Sequence, residues 1–370
     1  MILKDLVDRL DSLFLKSRAM AWDNVGLLLG DLEKDVKNIH VSLDIGKNTL
    51  SEAEENRTDL IISHHPLIFA PLKKITSGDS KGKLVLNLLQ KGIAVYAAHS
   101  NYDIDPHGLN GFFARRLNLK DIAPVQPFSE RWYKFVIFVP PEAEEKVRQA
   151  ICSEGGGKWR NYSCCTFNTK GVGTFFPIEG SKPYSGEVGK LSFADEVRVE
   201  CIVSESILDS VVKKSVEAHP YEEAAYDVYP LENRFEDGGI GITGSLEAKM
   251  GLDEFLKTAA SALGINNFRW TGKRKEIKKI AVVCGSANSL YERLARVDCE
   301  LIMVGELSYH NCHELAESGK IIVEMGHGDS ERCAIDGMHS RLSGYFKKEN
   351  IDISLTKSKR GYCLWRYHIG

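Results

Sequence analysis

Short apolar runs alternate with amphipathic stretches over residues 1–127. The runs predict strands, because about four to eight apolar, partly β-branched residues between polar boundaries are typical of strands buried on both faces. The intervening stretches have apolar residues at helical spacing, and the alternation is that of βαβ units around a parallel sheet. We predict strands over residues 37–46, 59–66 and 93–103, and helices over residues 48–57 and 82–92.

The same alternation returns in residues 234–370. In both parts of the chain a buried strand ends in sequence that contains histidine, as in "TDLIISHHP" and "CELIMVGELSYH". We interpret the two parts as similar βαβ-type halves of one α/β metal-binding domain, related by a diverged internal duplication. The second half has predicted strands over residues 278–288, 299–310 and 321–327, and predicted helices over residues 289–298, 311–320 and 329–348.

The pattern changes in residues 128–233, where the predicted order is β-α-β-β-α-β. This order is that of a ferredoxin-like α+β domain, which we expect to be inserted between the halves. The flanking residues 119–130 and 231–241 are rich in proline, glycine and charge, which predicts linkers. The glycine-rich residues 238–244 lack the ending of a phosphate-binding loop and predict a turn that re-enters the first domain.

Composition excludes several classes of function. The net charge is −3, from 48 basic and 51 acidic residues, so no strongly basic field points to nucleic acid as a partner. No apolar stretch approaches the roughly 20 residues that cross a bilayer. Residues 1–19 predict an amphipathic helix instead of a signal peptide. The nine cysteines form no CxxC pair, which favours a reduced, cytoplasmic location.

Polar side chains with the chemistry of metal ligands follow four of the predicted strands. Because the carboxyl ends of parallel strands meet at one edge of a sheet, these side chains are expected near one another. The candidates are His64 and His65, His99 and Asp103, Glu306 and His310, and His327 and Glu331.

The spacing of His327 and Glu331 is itself informative, because residues four apart on a helix share one face. Three histidines with Asp103 and Glu331 suit divalent Zn, Fe, Mn, Co or Ni. Five ligands exceed the needs of one catalytic ion and suit two ions about 3.5–4 Å apart, with Asp103 as the bridge. The alternative is that each group is an ordinary polar edge of the sheet.

Five motifs together resemble one family: "AWDNVGLLLGD", "ISHHPLIF", "AAHSNYD", "GELSYH" and "MGHGDSE". In order and spacing they are similar to the GTP cyclohydrolase I type 2 homologues, also called Nif-three-like dinuclear metal proteins. The resemblance implies two divalent metal ions per subunit and a toroidal homohexamer. It also implies that His64, His65, Asp103, His327 and Glu331 are the metal ligands.

Two features qualify this resemblance. Gly328 stands where many members have an aromatic residue, which leaves the ligands unchanged but removes any substrate contact at that position. Residues 128–233 resemble the CutA-like or PII-like domain of longer bacterial members, chiefly through "AHPYEEAAYDVYPLEN". Within that segment, residues 219–222 predict a helix end and a hydrogen-bonded corner instead of a second site.

Two functions follow as hypotheses. The first is a metal-dependent hydrolase of a nucleotide or related small molecule, in which Glu306 and His310 act as general base and outer-shell partner. The family name suggests opening of the purine ring of GTP, although the substrate itself is not specified by any motif. The second is a non-enzymatic, metal-loaded hexameric scaffold or regulatory protein, which would differ by a closed coordination shell.

Overall fold

The chain folds into two compact units, each a mixture of helices and sheets, so the predicted α/β character is confirmed. Unit 1 comprises Met1–Phe128 and Glu236–Gly370, and unit 2 comprises Ser129–Phe235. The structure is a computed structural model. It describes residues 1–159, 161–233, 236–273 and 275–359.

The first segment of unit 1 alternates strands with helices. In chain order its elements are α1 (Leu3–Leu13), β1 (Gly26–Leu29), β2 (Asn38–Ser42), α2 (Lys47–Glu55), β3 (Leu60–Ser63), α3 (Ser80–Gln90), β4 (Ala94–Ala97), α4 (Ser100–Ile104), α5 (Leu109–Arg116) and β5 (Lys120–Ser129).

The remaining elements follow in the same way. Those of unit 2 are β6 (Trp132–Val139), α6 (Glu144–Ser153), β7 (Thr166–Phe175), β8 (Ser192–Ser204), α7 (Leu208–Ala218) and β9 (Tyr226–Leu231). The second segment of unit 1 has β10 (Glu236–Gly251), α8 (Leu252–Leu263), β11 (Arg269–Thr271), β12 (Glu276–Ser286), α9 (Tyr291–Arg296), β13 (Leu301–Glu306), α10 (Tyr309–Glu317), β14 (Ile321–Glu324), α11 (His327–Glu331), α12 (Cys333–Lys348) and β15 (Ser354–Lys357).

Unit 1 contains two sheets whose central strands are parallel. The first has the strand order β1-β4-β3-β2-β15, and β2, β3 and β4 run parallel. The second has the order β11-β14-β13-β12-β10-β5, and β12, β13 and β14 run parallel. Every residue of β3 and β4 is buried, as expected for parallel strands with both faces covered. The carboxyl ends of these strands carry the candidate ligands.

The two predicted linkers are wrong in part, because both contribute strands. Residues 120–129 form β5 and residues 236–251 form β10, and these strands are neighbours at the edge of the second sheet. Pro124 and Pro127 suggested a linker, but an edge strand tolerates proline since one side of it has no ladder to donate to.

The glycine-rich residues 238–244 lie within β10, so the predicted re-entry turn is also wrong. Gly238 has φ +101°, and a Cβ there would lie 1.9 Å from the carbonyl oxygen of Ile104 in α4. The glycine is therefore needed because β10 passes directly against the end of α4. That helix contains Asp103, so this packing helps to position a candidate ligand.

Unit 2 has the order β-α-β-β-α-β, and its antiparallel sheet has the strand order β7-β8-β6-β9. Residues of α6 and α7 pack on one face of that sheet around Phe135 and Val199. His219 ends α7, donates through Nε2 to the Phe138 carbonyl and accepts the Tyr221 amide at Nδ1, which confirms the predicted hydrogen-bonded corner.

Two further structural findings bear on the composition analysis. Cys152 and Cys164 form a disulfide within unit 2, a partnership that the sequence did not predict. Across the residues that the structure describes, every helix is too short or too polar to cross a bilayer.

Candidate metal centre

Three strand exits of unit 1 bring imidazoles and carboxylates to one place. His64 and His65 follow β3, and His99 is the N-cap of α4, which also contains Asp103. His327 and Glu331 are the first and last residues of α11, which follows β14. Ligand atoms of His64, His65 and His99 lie within 4.8 Å of one another, and so do those of His65, His327 and Glu331. His65 thus belongs to both groups.

Glu331 lies at the centre of this cluster. Its Oε2 is 2.9 Å from His65 Nε2 and 3.2 Å from His327 Nε2. Its Oε1 is 4.0 Å from His64 Nε2, and that same nitrogen is 3.7 Å from Asp103 Oδ1. The i, i+4 spacing of His327 and Glu331 on α11 gives the expected shared face.

Each of the four imidazoles has its Nδ1 held by an oxygen acceptor. For His64 the acceptor is the Ala98 carbonyl at 2.9 Å. The other three acceptors are carboxylates: Asp44 at 2.8 Å from His65, Asp23 at 2.9 Å from His99 and Glu306 at 3.2 Å from His327. An acceptor at Nδ1 places the proton there and leaves the lone pair of Nε2 for a metal ion.

Buried polar atoms in the cluster lack partners within the described protein. The Nε2 atom of His64 and the Oδ1 atom of Asp103 are both buried and make no hydrogen bond. Leaving such atoms unsatisfied is costly, and a bound ion would satisfy both. Nitrogen and oxygen donors of these types suit divalent transition metals, so the residues fit the metal that the sequence predicts.

The charges of the cluster are arranged around the buried Glu331 carboxylate. Burial would raise the pKa of Glu331, but hydrogen bonds from His327 and His65 hold it well below its usual range. Burial would lower the pKa of His65, but Asp44 and Glu331 raise it to about 10. The hydrogen bond to Glu331 raises the pKa of His327 to about 9. Without metal, the two imidazolium groups therefore neutralise the carboxylates around them.

His64 and Asp103 behave differently because burial dominates. Desolvation lowers the pKa of His64 to about 3, so this imidazole is neutral and ready to bind a cation. Desolvation, together with the nearby Glu331 charge, raises the pKa of Asp103 to about 7. The cavity disfavours the Asp103 carboxylate until positive charge is present.

Two glycines of the second sheet leave room for Glu331. Gly285 in β12 has φ +62°, and a Cβ there would lie 2.2 Å from Glu331 Oε1 and 3.5 Å from His327 Nε2. A Cβ at Gly305 would meet the Gly285 carbonyl oxygen at 2.3 Å and Ser330 Oγ at 2.5 Å. Ser330 Oγ in turn accepts the Gly285 amide and donates to the His327 carbonyl. Backbone contact on this side therefore positions α11.

The structure brings all five predicted ligands together. Of the two predicted catalytic residues, Glu306 is half exposed and contacts Nδ1 of His327, so it supports a ligand. His310 is exposed on α10, where its ring meets the edge of Tyr309. A role for His310 as general base or outer-shell partner stays a prediction.

Sequence analysis missed three residues of the cluster. Asp44 follows β2, so the rule that strand exits carry ligands would have found it. Asp23 lies in the loop before β1, a strand that the apolar pattern did not predict. His99 was noted beside Asp103 but not assigned to the metal, and the structure places it with His64 and His65.

Asp44→Asn is expected to weaken metal binding by about 10–100-fold, the usual scale for the partner of a ligating histidine. The amide loses the charge that favours Nδ1–H on His65, although its size is nearly unchanged. The measurement is competition with a chromophoric chelator. Asp298→Asn is the control, since that carboxylate is exposed and pairs with Lys279. Equal affinities for the Asp44 variant and the unaltered protein would contradict the assignment.

Comparison with known proteins gives a consistent family. A model described as Duf34/NIF3 (NGG1p interacting factor 3) matches residues 1–360. A Halalkalibacterium halodurans protein named GTP cyclohydrolase 1 type 2 homolog is 37% identical over 345 residues, which are 93% of this chain and 92% of that protein. A Bacillus subtilis protein of the same name is 35% identical over 346 residues, with the same coverage of 93% and 92%.

Solved structures agree with this result. A Bacillus cereus protein described as related to NIF3 superposes with a TM-score of 0.80 at 33% identity, covering 100% of this chain and 99% of that one. A Staphylococcus aureus protein superposes with a TM-score of 0.77 at 25% identity, with the same coverage of 100% and 99%. The likeness extends over the whole chain.

Proposed function

The chain belongs to the Duf34/NIF3 family, and from this premise we propose that it is a dinuclear metal-dependent hydrolase of a nucleotide or related small molecule. The observation that carries the proposal is the common direction of four imidazoles. Each has its Nδ1 held by an acceptor and its Nε2 left for a cation, next to Asp103 and Glu331. The name of the curated relatives suggests GTP as the first substrate to examine.

The two overlapping groups of ligand atoms support a site for two ions. One group would hold an ion with His64, His65 and His99, and the other with His65, His327 and Glu331. Asp103 lies beside His64, where its carboxylate is suited to bridge the two ions. Divalent ions bound here would lower the pKa of water and stabilise negative charge that develops on the substrate.

The residues of the chain perform distinct tasks in this proposal. Glu331 and Asp103 supply the negative charge that balances the cations, and the histidines fix the direction of approach. Glu306, half exposed beside His327, is placed to exchange a proton with solvent while it orients that ring. Trp22 and Phe69, both largely exposed, flank His99 on the open side of the cluster.

The deciding experiment is reconstitution followed by a substrate panel. Metal-free protein is loaded separately with Zn, Mn, Fe, Co or Ni, and bound metal is counted by mass spectrometry. Turnover of GTP, other nucleotides and phosphodiesters is then measured. Two ions per subunit with turnover support the hydrolase. Two ions without turnover on any substrate favour the alternative, a metal-loaded scaffold or regulatory protein.

Metal affinity is expected to rise with pH between about 6 and 9. His65 and His327 have raised pKa values of about 10 and 9, so both are protonated at neutral pH and must lose their protons to bind metal. Each proton released makes the affinity about tenfold greater per pH unit. Calorimetry in two buffers of different ionisation enthalpy counts the protons. Affinity that does not change with pH would contradict the proposed ligands.

We also propose the finer architecture that the family resemblance implies. The order α-β-β-α-β-α-β-α-α recurs from α1 to α5 and from α8 to α12, which supports two similar halves. The sheet order of unit 2 supports a ferredoxin-like insertion. A homohexamer and a cytoplasmic location remain part of the proposal, and light scattering of the purified protein tests the hexamer.

A further inference from the structure

An exposed aromatic pair lies next to the candidate metal centre. Trp22 is 57% exposed and Phe69 is 53% exposed, and their ring centroids are 5.9 Å apart. Phe69 is on the loop that follows His65, and Trp22 is on the loop that precedes β1. Large aromatic side chains in mutual contact but open to solvent keep apolar surface available for a ligand.

Both loops are held in place by buried polar contacts. Asp23, next to Trp22, accepts hydrogen bonds from the backbone amide and the hydroxyl of Ser100 as well as pairing with His99. The Met20 amide donates to Ser100 Oγ, which fixes the other side of Trp22. Asn24 donates to the carbonyl of Ile68, the residue before Phe69, so the two loops are tied together. The pair is therefore positioned before any ligand arrives.

The pair reaches the metal centre through His99. The His99 ring is 6.1 Å from the Trp22 ring and 6.4 Å from the Phe69 ring, meeting both nearly edge-on. On its other side the same ring is 5.2 Å from His64 and 5.6 Å from His65. One imidazole thus separates the exposed aromatic surface from the proposed ligands.

We propose that Trp22 and Phe69 form a stacking platform for a planar heteroaromatic ring of the substrate. This inference rests on the proposed function, since it places a second part of the substrate beside the reacting group. Sites for small molecules combine aromatic walls with a few polar groups, as found here with His99 and Asp23. A planar ring stacks on an aromatic face, whereas a cationic ligand would be repelled by the divalent ions.

The test compares ligands that differ by the ring. Binding of guanosine monophosphate, adenosine monophosphate and ribose 5-phosphate is measured by calorimetry on metal-loaded and on metal-free protein. The two nucleotides are expected to bind more tightly than ribose 5-phosphate. Trp22→Ala should weaken nucleotide binding by about 5- to 150-fold, the range for loss of one stacked base. Trp22→Phe should restore most of it, and Phe69→Ala should weaken binding in the same direction.

The control is Ile75→Ala, an apolar residue 44% exposed on the same loop as Phe69, which should leave nucleotide binding unchanged. Equal affinity for ribose 5-phosphate and the nucleotides, or no nucleotide binding at millimolar concentration, would overturn the platform. So would a Trp22→Ala variant that binds normally but changes its oligomeric state, because the pair would then be covered by a second copy of the chain.

This test is separable from that of the hydrolase. Turnover of substrates without a ring, unaffected by Trp22→Ala, would leave the hydrolase in place and remove the platform. Ring-dependent binding that is lost in Trp22→Ala, without turnover of any substrate, would leave the platform in place and remove the hydrolase.

Discussion

Asp103→Ala is expected to lower turnover by several orders of magnitude and to remove at least one equivalent of bound metal. The variant loses the carboxylate proposed to neutralise both cations, which lies 3.7 Å from His64 Nε2. Its fold should survive, because burial raises the pKa of Asp103 to about 7 and so the charged form destabilises the metal-free protein above that pH. At pH 8, metal-free Asp103→Ala should therefore unfold no more readily than the unaltered protein.

His310→Ala is the comparison for this prediction. His310 is exposed and contacts Tyr309, so the variant should retain its metal and lose about 10–100-fold in turnover if the residue is an outer-shell partner. Metal content is measured by mass spectrometry, and turnover is measured on the best substrate of the panel. Equal losses of turnover in the two variants would show that the proposed roles of Asp103 and His310 are wrong.

Gly285→Ala is expected to weaken metal binding by about 100-fold or more, although residue 285 binds no metal itself. The new Cβ would lie 2.2 Å from Glu331 Oε1, so the carboxylate must move away from His65 and His327. Alanine at φ +62° also costs about 1–2 kcal/mol of stability, because a side chain disfavours the left-handed conformation. Thermal unfolding and chelator competition measure the two effects separately.

Gly328→Ala is the matched control on the other side of His327. Nothing lies within 4 Å of a Cβ at this position, which is in the first turn of α11. The substitution should leave metal affinity and stability unchanged or slightly improved, since alanine favours a helix more than glycine does. Similar losses in both glycine variants would indicate general sensitivity of the cluster instead of a specific role for Gly285.

The sequence predicted those parts of the protein that depend on local pattern. Apolar runs located β2, β3 and β4 and their counterparts β12, β13 and β14, because a strand buried on both faces must be apolar throughout. The polar residues at the strand exits then identified the five proposed ligands, because a parallel sheet brings those exits to one edge. Neither inference requires knowledge of the partner strands.

Tertiary structure alone decided the edges of the sheets. β5 and β10 were predicted as linkers, since their prolines and glycines are unfavourable in a central strand. They pair at the border of the second sheet, where a missing donor costs little. β15 pairs with β2, a strand from the opposite end of the chain. Strand pairing between distant segments leaves little trace in local hydrophobic periodicity.

The support of the metal centre was likewise decided in three dimensions. Asp23 and Asp44 matter because their carboxylates reach the Nδ1 atoms of His99 and His65, contacts that join different loops. Gly285 matters because β12 passes against Glu331. The chemical type of a ligand is a property of one residue and can be recognised in the sequence. The orientation of that ligand depends on atoms brought next to it by folding, so only the structure reveals it.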